Sequence, residues 1–164
     1  MKKFIKFSFF GLIYLIIILF FAVMFIVTAK ADLIKPSIGI EPYQVVKIQL
    51  KSLKKNDSPK KDNGIEQTWE FAHPNNQRNT GPLDRFKLMI KGKSYEMLLD
   101  HLDHKVVEIS SNNSTALFDV TVLDKNKIYY EFKWKVEKYT KEGSLYGCWL
   151  TSFVSTPRPL GSSI

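Results

Sequence analysis

Apolar and polar side chains alternate most regularly between Ile128 and Tyr139, which read IYYEFKWKVEKY. Every second residue from Ile128 to Val136 is apolar, and acids and lysines fill the positions between Glu131 and Glu137. Because successive side chains of a strand point to opposite faces, this pattern predicts a β-strand with one buried and one solvated face. Burial of each large apolar side chain is worth roughly 1.5–3 kcal/mol, so we expect another layer to cover the buried face.

Strand patterns also surround this segment. Short polar turns separate three further predicted strands, which cover residues 105–110, 115–123 and 145–154. The last of these is apolar on both faces, which predicts a central place in the sheet. Two prolines and a glycine beyond it indicate an open tail over residues 157–164.

Helical spacing dominates the part of the chain before residue 104. Tyr43, Val46, Leu50 and Leu53 recur at helical intervals after Pro42, which predicts an amphipathic helix ending near residues 56–57. Two shorter helices are predicted over residues 65–72 and 83–91, with turn-rich residues 75–81 between them and one helical turn near residues 95–99.

Helices that precede a run of short antiparallel strands are typical of the α+β class. We therefore predict one domain over residues 42–156, in which helices pack on a four-stranded antiparallel sheet. Residues 32–41 contain Pro36 and Gly39 and show no period, so they are predicted to be a tether.

The N-terminus carries an uncharged, strongly apolar run over residues 7–28. As a helix it would span about 33 Å, enough to cross a bilayer core of about 30 Å. Lys2, Lys3 and Lys6 precede the run and Lys30 follows it, which favours an inside N-terminus. We therefore predict a transmembrane anchor in the cell inner membrane, with the domain on its extracytoplasmic side.

A cleaved signal segment is the alternative interpretation of residues 1–31. Ala29-Lys30-Ala31 resembles a signal-peptidase site, although the apolar run is longer than the core of about 7–15 residues in most signal peptides. Length favours a retained anchor and the triplet favours cleavage, which would make the domain periplasmic.

Composition and charge argue against a nucleic-acid partner and against an intramolecular disulfide. The 164 residues are 45% hydrophobic and 24% charged, which is ordinary globular material. The formal charge of +8 partly reflects the four lysines beside the apolar run, and elsewhere acids and bases are interspersed, so we expect no nucleic-acid partner. Cys148 is the only cysteine, which excludes an intramolecular disulfide and predicts a buried, inert thiol.

One short segment gathers groups that could do chemistry. Asp100, His101, Asp103 and His104 fall within five residues, and we name His101, Asp103 and His104 as candidates for acid–base catalysis. Two imidazoles supply only two metal ligands, and His73 is the only other histidine, so we predict no metal centre and no cofactor. No glycine-rich phosphate loop, HExxH, GxSxG or paired-cysteine motif is present, so an enzyme is not our first expectation.

Aromatic side chains suggest a second kind of site. Trp69, Phe71, Phe86, Trp134 and Trp149 are candidates for the lining of a ligand pocket. The alternative is that they form ordinary hydrophobic core.

Several segments together resemble a known family. They are Asn56-Asp57 and residues 64–76 (GIEQTWEFAHPNN), 80–90 (TGPLDRFKLMI), 95–101 (YEMLLDH) and 147–149 (GCW). They resemble the bacterial and plant domain-of-unknown-function family numbered 4864, over about residues 42–154. That family is similar to the cystatin-like cone folds typified by nuclear transport factor 2. The lysine-rich residues 54–61 and the apolar start depart from its pattern.

The resemblance implies an architecture and no activity. It implies helices packed into a strongly curved antiparallel sheet that encloses a conical pocket. Some cone-fold relatives are isomerases, dehydratases or hydrolases with histidine and aspartate in the cone, whereas many only bind ligands or partners. We therefore expect a membrane-anchored domain that binds a small apolar ligand or a protein partner without catalysis. The alternatives are a pocket enzyme and a structural, dimerising subunit.

Overall fold

The structure is a computed structural model that describes residues 32–162. Helices come first in the chain and strands follow, as expected for the α+β class. The helices are α1 (Pro42–Leu53), α2 (Asn63–Glu70), α3 (Pro74–Thr80) and α4 (Leu83–Lys91), with a 3-10 turn at Glu96–Leu98. The strands are β1 (Asp103–Ser111), β2 (Thr115–Leu123), β3 (Ile128–Lys138), β4 (Trp149–Val154) and β5 (Arg158–Ser162).

All strand pairs in the sheet are antiparallel, and the sheet is open rather than closed. The order is β1-β2-β3-β4, and β5 also pairs with β3. β4 pairs with residues 134–138 of β3 and β5 pairs with residues 128–131. The two short strands therefore follow one another along the same edge of β3.

The predicted alternation in β3 is confirmed. Phe132, Trp134 and Val136 are fully buried, whereas Lys133 between them is exposed. The alternate residues of β2 have the same character, and Phe118 lies opposite Trp134 in the ladder. The apolar sides of both strands thus share one face, and the helices cover it.

Helix α1 supplies much of the covering layer. Pro42 occupies its first turn, and the backbone N–H of Glu41 donates to Gln44 Oε1 at 2.9 Å, which satisfies an otherwise free donor. The predicted stripe of Val46, Leu50 and Leu53 is buried. Tyr43 is 42% exposed, so the first residue of the predicted stripe lies at its margin.

Residues predicted as a turn-rich link form helix α3. The prediction was wrong because local side chains cap the segment: His73 Nδ1 accepts the backbone N–H of Asn75, and Pro74 stands in the first turn. No residue of α3 is buried, so the segment has no apolar period by which a helix is usually recognised.

The C-terminal residues predicted as an open tail form a strand instead. β5 pairs with the first half of β3, and Arg158 Nη2 donates to Glu131 Oε2 at 2.6 Å. β3 is longer than β4, so its first half has backbone groups that β4 does not reach. Pro159 is tolerated there because an edge strand does not need every N–H.

The strand predicted over residues 145–154 begins only at Trp149 and lies at an edge of the sheet rather than centrally. Its outer side is nevertheless covered, since the backbone N–H of His73 donates to Thr151 O and that of Thr151 donates to Phe71 O, both at 2.8 Å. This short parallel bridge covers the outer edge of β4 beside its buried residues 149–151.

The predicted tether is attached to α2 through two neighbouring residues, Ile34 and Lys35. The side-chain amide of Gln67 bonds both backbone groups of Ile34, at 2.7 Å to its N–H and 2.8 Å to its carbonyl. Lys35 also pairs with Glu70 at 2.8 Å. Residues 34 and 35 are therefore attached to the domain by side chains that no apolar period reveals.

The predicted membrane segment, residues 7–28, lies outside the described residues. Within residues 32–162, the helices are too short or too polar to cross a bilayer.

The two faces of β3 yield a stability prediction. Phe132→Ala should lower the free energy of unfolding by about 3–5 kcal/mol, because it removes a fully buried ring and leaves a cavity. The adjacent Lys133→Ala should cost no more than about 1 kcal/mol, because its ion pair with Asp119 is solvated. Urea unfolding followed by tryptophan fluorescence measures both, and equal losses would contradict the assignment of faces.

Candidate functional site

A cavity of about 80 Å³ lies where the helices meet the strands β3 and β4. All four helices, the 3-10 turn and both strands contribute to its wall, and no residue of that wall is Asp, Glu, Lys, Arg or His. Its apolar lining consists of Leu53, Ala72, Phe86, Met89, Ile90, Leu98, Trp134 and Val154, and its polar lining of Gln49, Thr68, Asn76, Thr80, Tyr95 and Thr151. The cavity is thus an uncharged space with a polar minority.

Three of the lining residues form a buried hydrogen-bonded cluster. Trp134 Nε1 donates to Gln49 Oε1 and to Thr151 Oγ1, both at 3.2 Å. The hydroxyl of Thr151 donates to Gln49 Oε1 at 2.6 Å. The cluster joins α1 to β3 and β4, and it satisfies an indole N–H that would otherwise be buried without a partner.

The orientation of the Gln49 amide follows from its partners. An indole N–H can only donate, so the atom beside Trp134 is the amide oxygen. The carbonyl of Thr68 can only accept, so the atom beside it, at 3.0 Å, is Nε2. An amide nitrogen carries two hydrogens, and this bond uses one. The second has no acceptor among the residues that the structure describes.

Half-buried polar residues surround the mouth of the cavity. Asn76 Nδ2 donates to Thr151 O at 3.4 Å, and Thr80 Oγ1 donates to Asn76 O at 2.8 Å. The hydroxyl of Tyr95 donates to Val154 O at 3.4 Å, and burial raises the pKa of Tyr95. The mouth therefore stays neutral at physiological pH.

The five aromatic residues predicted to line a pocket divide into two groups. Phe86 and Trp134 line the cavity, whereas Trp69, Phe71 and Trp149 do not. Trp69 packs on Phe86 with ring centroids 5.0 Å apart, and Phe71 is fully buried core. The ring of Trp149 lies under Lys138 Nζ, 4.9 Å from its centroid.

Sequence reasoning missed Gln49 and Thr151. The signal for Gln49 was a polar residue within the buried stripe of α1, three positions after Val46. A polar residue on an otherwise apolar helix face needs a partner across the interface. Thr151 gave a weaker signal, because threonine is common in strands.

The histidine candidates lie together but outside this cavity. His101 Nδ1 is 2.7 Å from Leu98 O, and His101 Nε2 is 2.7 Å from His104 Nδ1. Because a carbonyl only accepts, Nδ1 of His101 carries the proton, and in the neutral ring Nε2 then accepts from His104. The pair is a fixed chain of donors that ends at the 3-10 turn.

Burial governs the charge of this pair. It lowers the pKa of His101 to about 4 and also lowers the pKa of His104, with the nearby Lys54 ammonium acting in the same direction. The carboxylate of Asp103 is largely exposed and lies 3.9 Å from Lys54 Nζ. Asp103 therefore does not meet the two imidazoles in a shared pocket, and the three candidates do not converge on a space for a substrate.

The other side chains that could do chemistry do not form a second site among the described residues. Cys148 is buried, and burial raises the pKa of its thiol, as expected for an inert cysteine. Between Asp32 and Ser162, no three His, Cys, Asp or Glu side chains come together as metal ligands would.

Comparison with known proteins adds no assignment. No family model matches the chain, and neither a curated protein nor a solved structure matches it. The resemblance to the domain-of-unknown-function family therefore stays a prediction.

The His101 site yields a prediction of pH dependence. Its pKa is about 4 in the folded state, below the ordinary value of 6.5, so below pH 6.5 the unfolded state binds more protons. The free energy of unfolding should thus fall by about 1–3 kcal/mol between pH 6.5 and 4.

His101→Asn is the matched variant, because its amide can still donate to the carbonyl of Leu98. It should be less stable at pH 7 and should lose much of the slope between pH 6.5 and 5 in urea unfolding. The acids with lowered pKa, such as Glu66, contribute equally to both proteins. An unchanged slope in the variant would show that His101 is not the group that titrates.

Proposed function

We propose that this protein is a binding protein whose domain, residues 32–162, takes a small and mostly apolar ligand into the cavity without catalysing a reaction. The observation that carries the proposal is the cavity itself, an unfilled space of about 80 Å³ beside a fully buried tryptophan. Protein interiors are normally packed with few voids larger than a water molecule. A space of this size with a polar mouth is therefore a feature that a ligand would explain.

The size of the cavity limits the ligand. An apolar cavity of about 150 Å³ admits benzene, so about half that volume suits a group of only a few heavy atoms. The mouth residues are half-buried rather than sealed, so a longer ligand could insert one end. Common ligand sites are larger, about 300–1,000 Å³, so we propose a small metabolite or the end of a chain.

The membrane anchor and the cone fold belong to the same proposal. Residues 7–28 are apolar and long enough to hold the domain at the extracytoplasmic face of the inner membrane, or to export it if they are cleaved. Helices on one face of an antiparallel sheet, with a cavity between them, are compatible with membership of the cone-fold family.

Geometry favours binding over acid–base catalysis. A general base has to lie within hydrogen-bond reach of its substrate, and the wall of the cavity carries no ionisable group except Tyr95. His101 Nδ1 bonds the carbonyl of Leu98, and His101 Nε2 bonds His104 Nδ1, so these three nitrogens already have partners within the protein. The enzyme hypothesis has no such geometric support.

Occupancy of the cavity can be tested with xenon. In the full chain in lipid nanodiscs, xenon should shift the methyl signals of Ile90 and Leu98, which line the cavity, and leave those of Val122 unchanged. Ala72→Leu should abolish these shifts, because its larger side chain would occupy the cavity, and a substitution that fills a cavity commonly preserves or raises stability. Thr80→Val at the mouth is the control and should retain them.

Native mass spectrometry of the same preparation should show a co-purified small molecule in the wild type and none in Ala72→Leu. Absence of xenon shifts in the wild type, or shifts that survive Ala72→Leu, would count against the proposal.

Strand β1 favours a second function, association with a protein partner or a second copy. Within residues 32–162, β1 pairs only with β2, and its residues 107–111 are all exposed. Val107 and Ile109 are 41% and 50% exposed, and an edge with exposed apolar residues is a template for a further strand. The solvated face of the sheet carries ion pairs such as Arg158–Glu131, so the edge suits a partner better than the face does.

Sedimentation of the full chain in density-matched detergent tests this second function. A dimer that forms through β1 should dissociate at least tenfold more easily in Val107→Lys, because a lysine on the edge opposes further pairing. Phe153→Lys on β4, which is 51% exposed, is the matched control and should leave the dimer intact. A wild-type monomer at the highest attainable concentration would contradict the idea.

A further inference from the structure

We infer that the ligand of the cavity is a neutral molecule with an oxygen acceptor, a carbonyl or ether rather than a pure hydrocarbon, and that this oxygen takes the second amide hydrogen of Gln49. The inference rests on the proposed function, since it names the chemistry of the molecule that occupies the same cavity. Its basis is the single unused donor in an otherwise satisfied cluster.

Within the cluster, one donor has no partner among the described residues: the second amide hydrogen of Gln49. Gln49 is only 1% exposed, and its oxygen already accepts from Trp134 and Thr151. Its nitrogen donates one hydrogen to the carbonyl of Thr68 at 3.0 Å. The other hydrogen has no acceptor within the described part of the chain, although Gln49 borders the cavity.

A buried donor without an acceptor costs about 1–3 kcal/mol, so the cavity should contain an atom that accepts this hydrogen. Thr151 is not that atom, because its hydroxyl lies at the oxygen end of the Gln49 amide, where it donates to Oε1. An acceptor that enters the cavity from outside would complete the cluster without moving any of its members.

The wall of the cavity carries no charged side chain, which indicates that the ligand is itself uncharged. A carboxylate or an ammonium in this space would be desolvated with no opposite charge, which is strongly unfavourable. Eight of the fourteen lining residues are apolar, so the remainder of the ligand should be hydrocarbon. Ketones, esters, amides and ethers of a few heavy atoms fit this description, and organic acids and amines do not.

Three planar probes of four heavy atoms test the inference: acetone has the acceptor, isobutene lacks it, and acetate adds a charge. Each is titrated into the full chain in nanodiscs, and the Ile90 and Leu98 methyl signals report occupancy. The side-chain amide protons of Gln49 report the hydrogen bond. Acetone should move one of these two protons downfield and leave the one that is bonded to Thr68 in place.

The variant Gln49→Met removes both amide hydrogens and keeps a similar side-chain volume. Trp134 retains Thr151 as an acceptor in this variant, so its indole N–H is not left unpaired. The affinity ratio of acetone to isobutene should fall by about threefold to tenfold in Gln49→Met, as expected for one buried hydrogen bond. Gln67→Met, the same change at a buried glutamine that does not line the cavity, should leave the ratio unchanged.

The possible failures are distinguishable. If none of the probes shifts the methyl signals, the proposed function fails and the inference fails with it. If isobutene binds while acetone moves neither Gln49 proton, the cavity binds ligands but the assigned donor is wrong. Binding of acetate would overturn the neutral class. A Gln49 proton that shows contact with water, and keeps it when acetone is added, would assign the donor to a bound water. The proton shifts come from the wild type, so they decide the matter even if Gln49→Met does not fold.

Discussion

The burial of Trp134 on the inner face of β3 is the constraint on which the interior of this domain depends. Its ring is needed to fill the space between sheet and helices, but the indole N–H cannot be left without an acceptor there. Gln49 from α1 and Thr151 from β4 provide the acceptors. Burial of the Trp134 ring thus requires two polar side chains in the core. Their hydrogen bonds join α1 to β3 and β4 and so help to position α1 on the sheet.

The same cluster explains the character of the cavity. Trp134, Gln49 and Thr151 are held in place by their mutual hydrogen bonds, and all three line the cavity. Helices α3 and α4 close the space only partly, because α3 has no buried residue to insert. The result is an uncharged cavity with a neutral mouth, next to a donor that its neighbours do not use.

Charged side chains are absent from the wall of the cavity. The solvated face of the sheet carries cross-strand ion pairs, Lys133 with Asp119 and Arg158 with Glu131. The buried histidine pair remains neutral because desolvation lowers both pKa values. Polar groups therefore serve separate roles in separate places, with structural histidines at the 3-10 turn and a hydrogen-bonding cluster at the cavity.

The amino-acid sequence by itself determined the class and the faces of the fold. The alternation in β2 and β3 and the stripe of α1 reappear as the buried face and its cover, because a period of two or 3.6 residues is a local property of the chain. Helix α3, strand β5 and the edge position of β4 were not predictable in this way. They depend on a histidine cap, on unpaired backbone groups of β3 and on a bridge from residues 71–73, none of which leaves an apolar period.

The candidate site shows the same difference between what the sequence predicts and what only the packed structure decides. Phe86 and Trp134 were predicted as lining because large aromatic residues stand out in a sequence, but Trp69, Phe71 and Trp149 stand out equally and lie elsewhere. Likewise, His101, Asp103 and His104 are neighbours in the chain, yet only the two imidazoles meet. Gln49 meets Thr151 across 102 positions of the chain, and only the packed structure brings them within 2.6 Å. Local periods establish which face is buried, whereas partners on that face depend on contacts between distant segments.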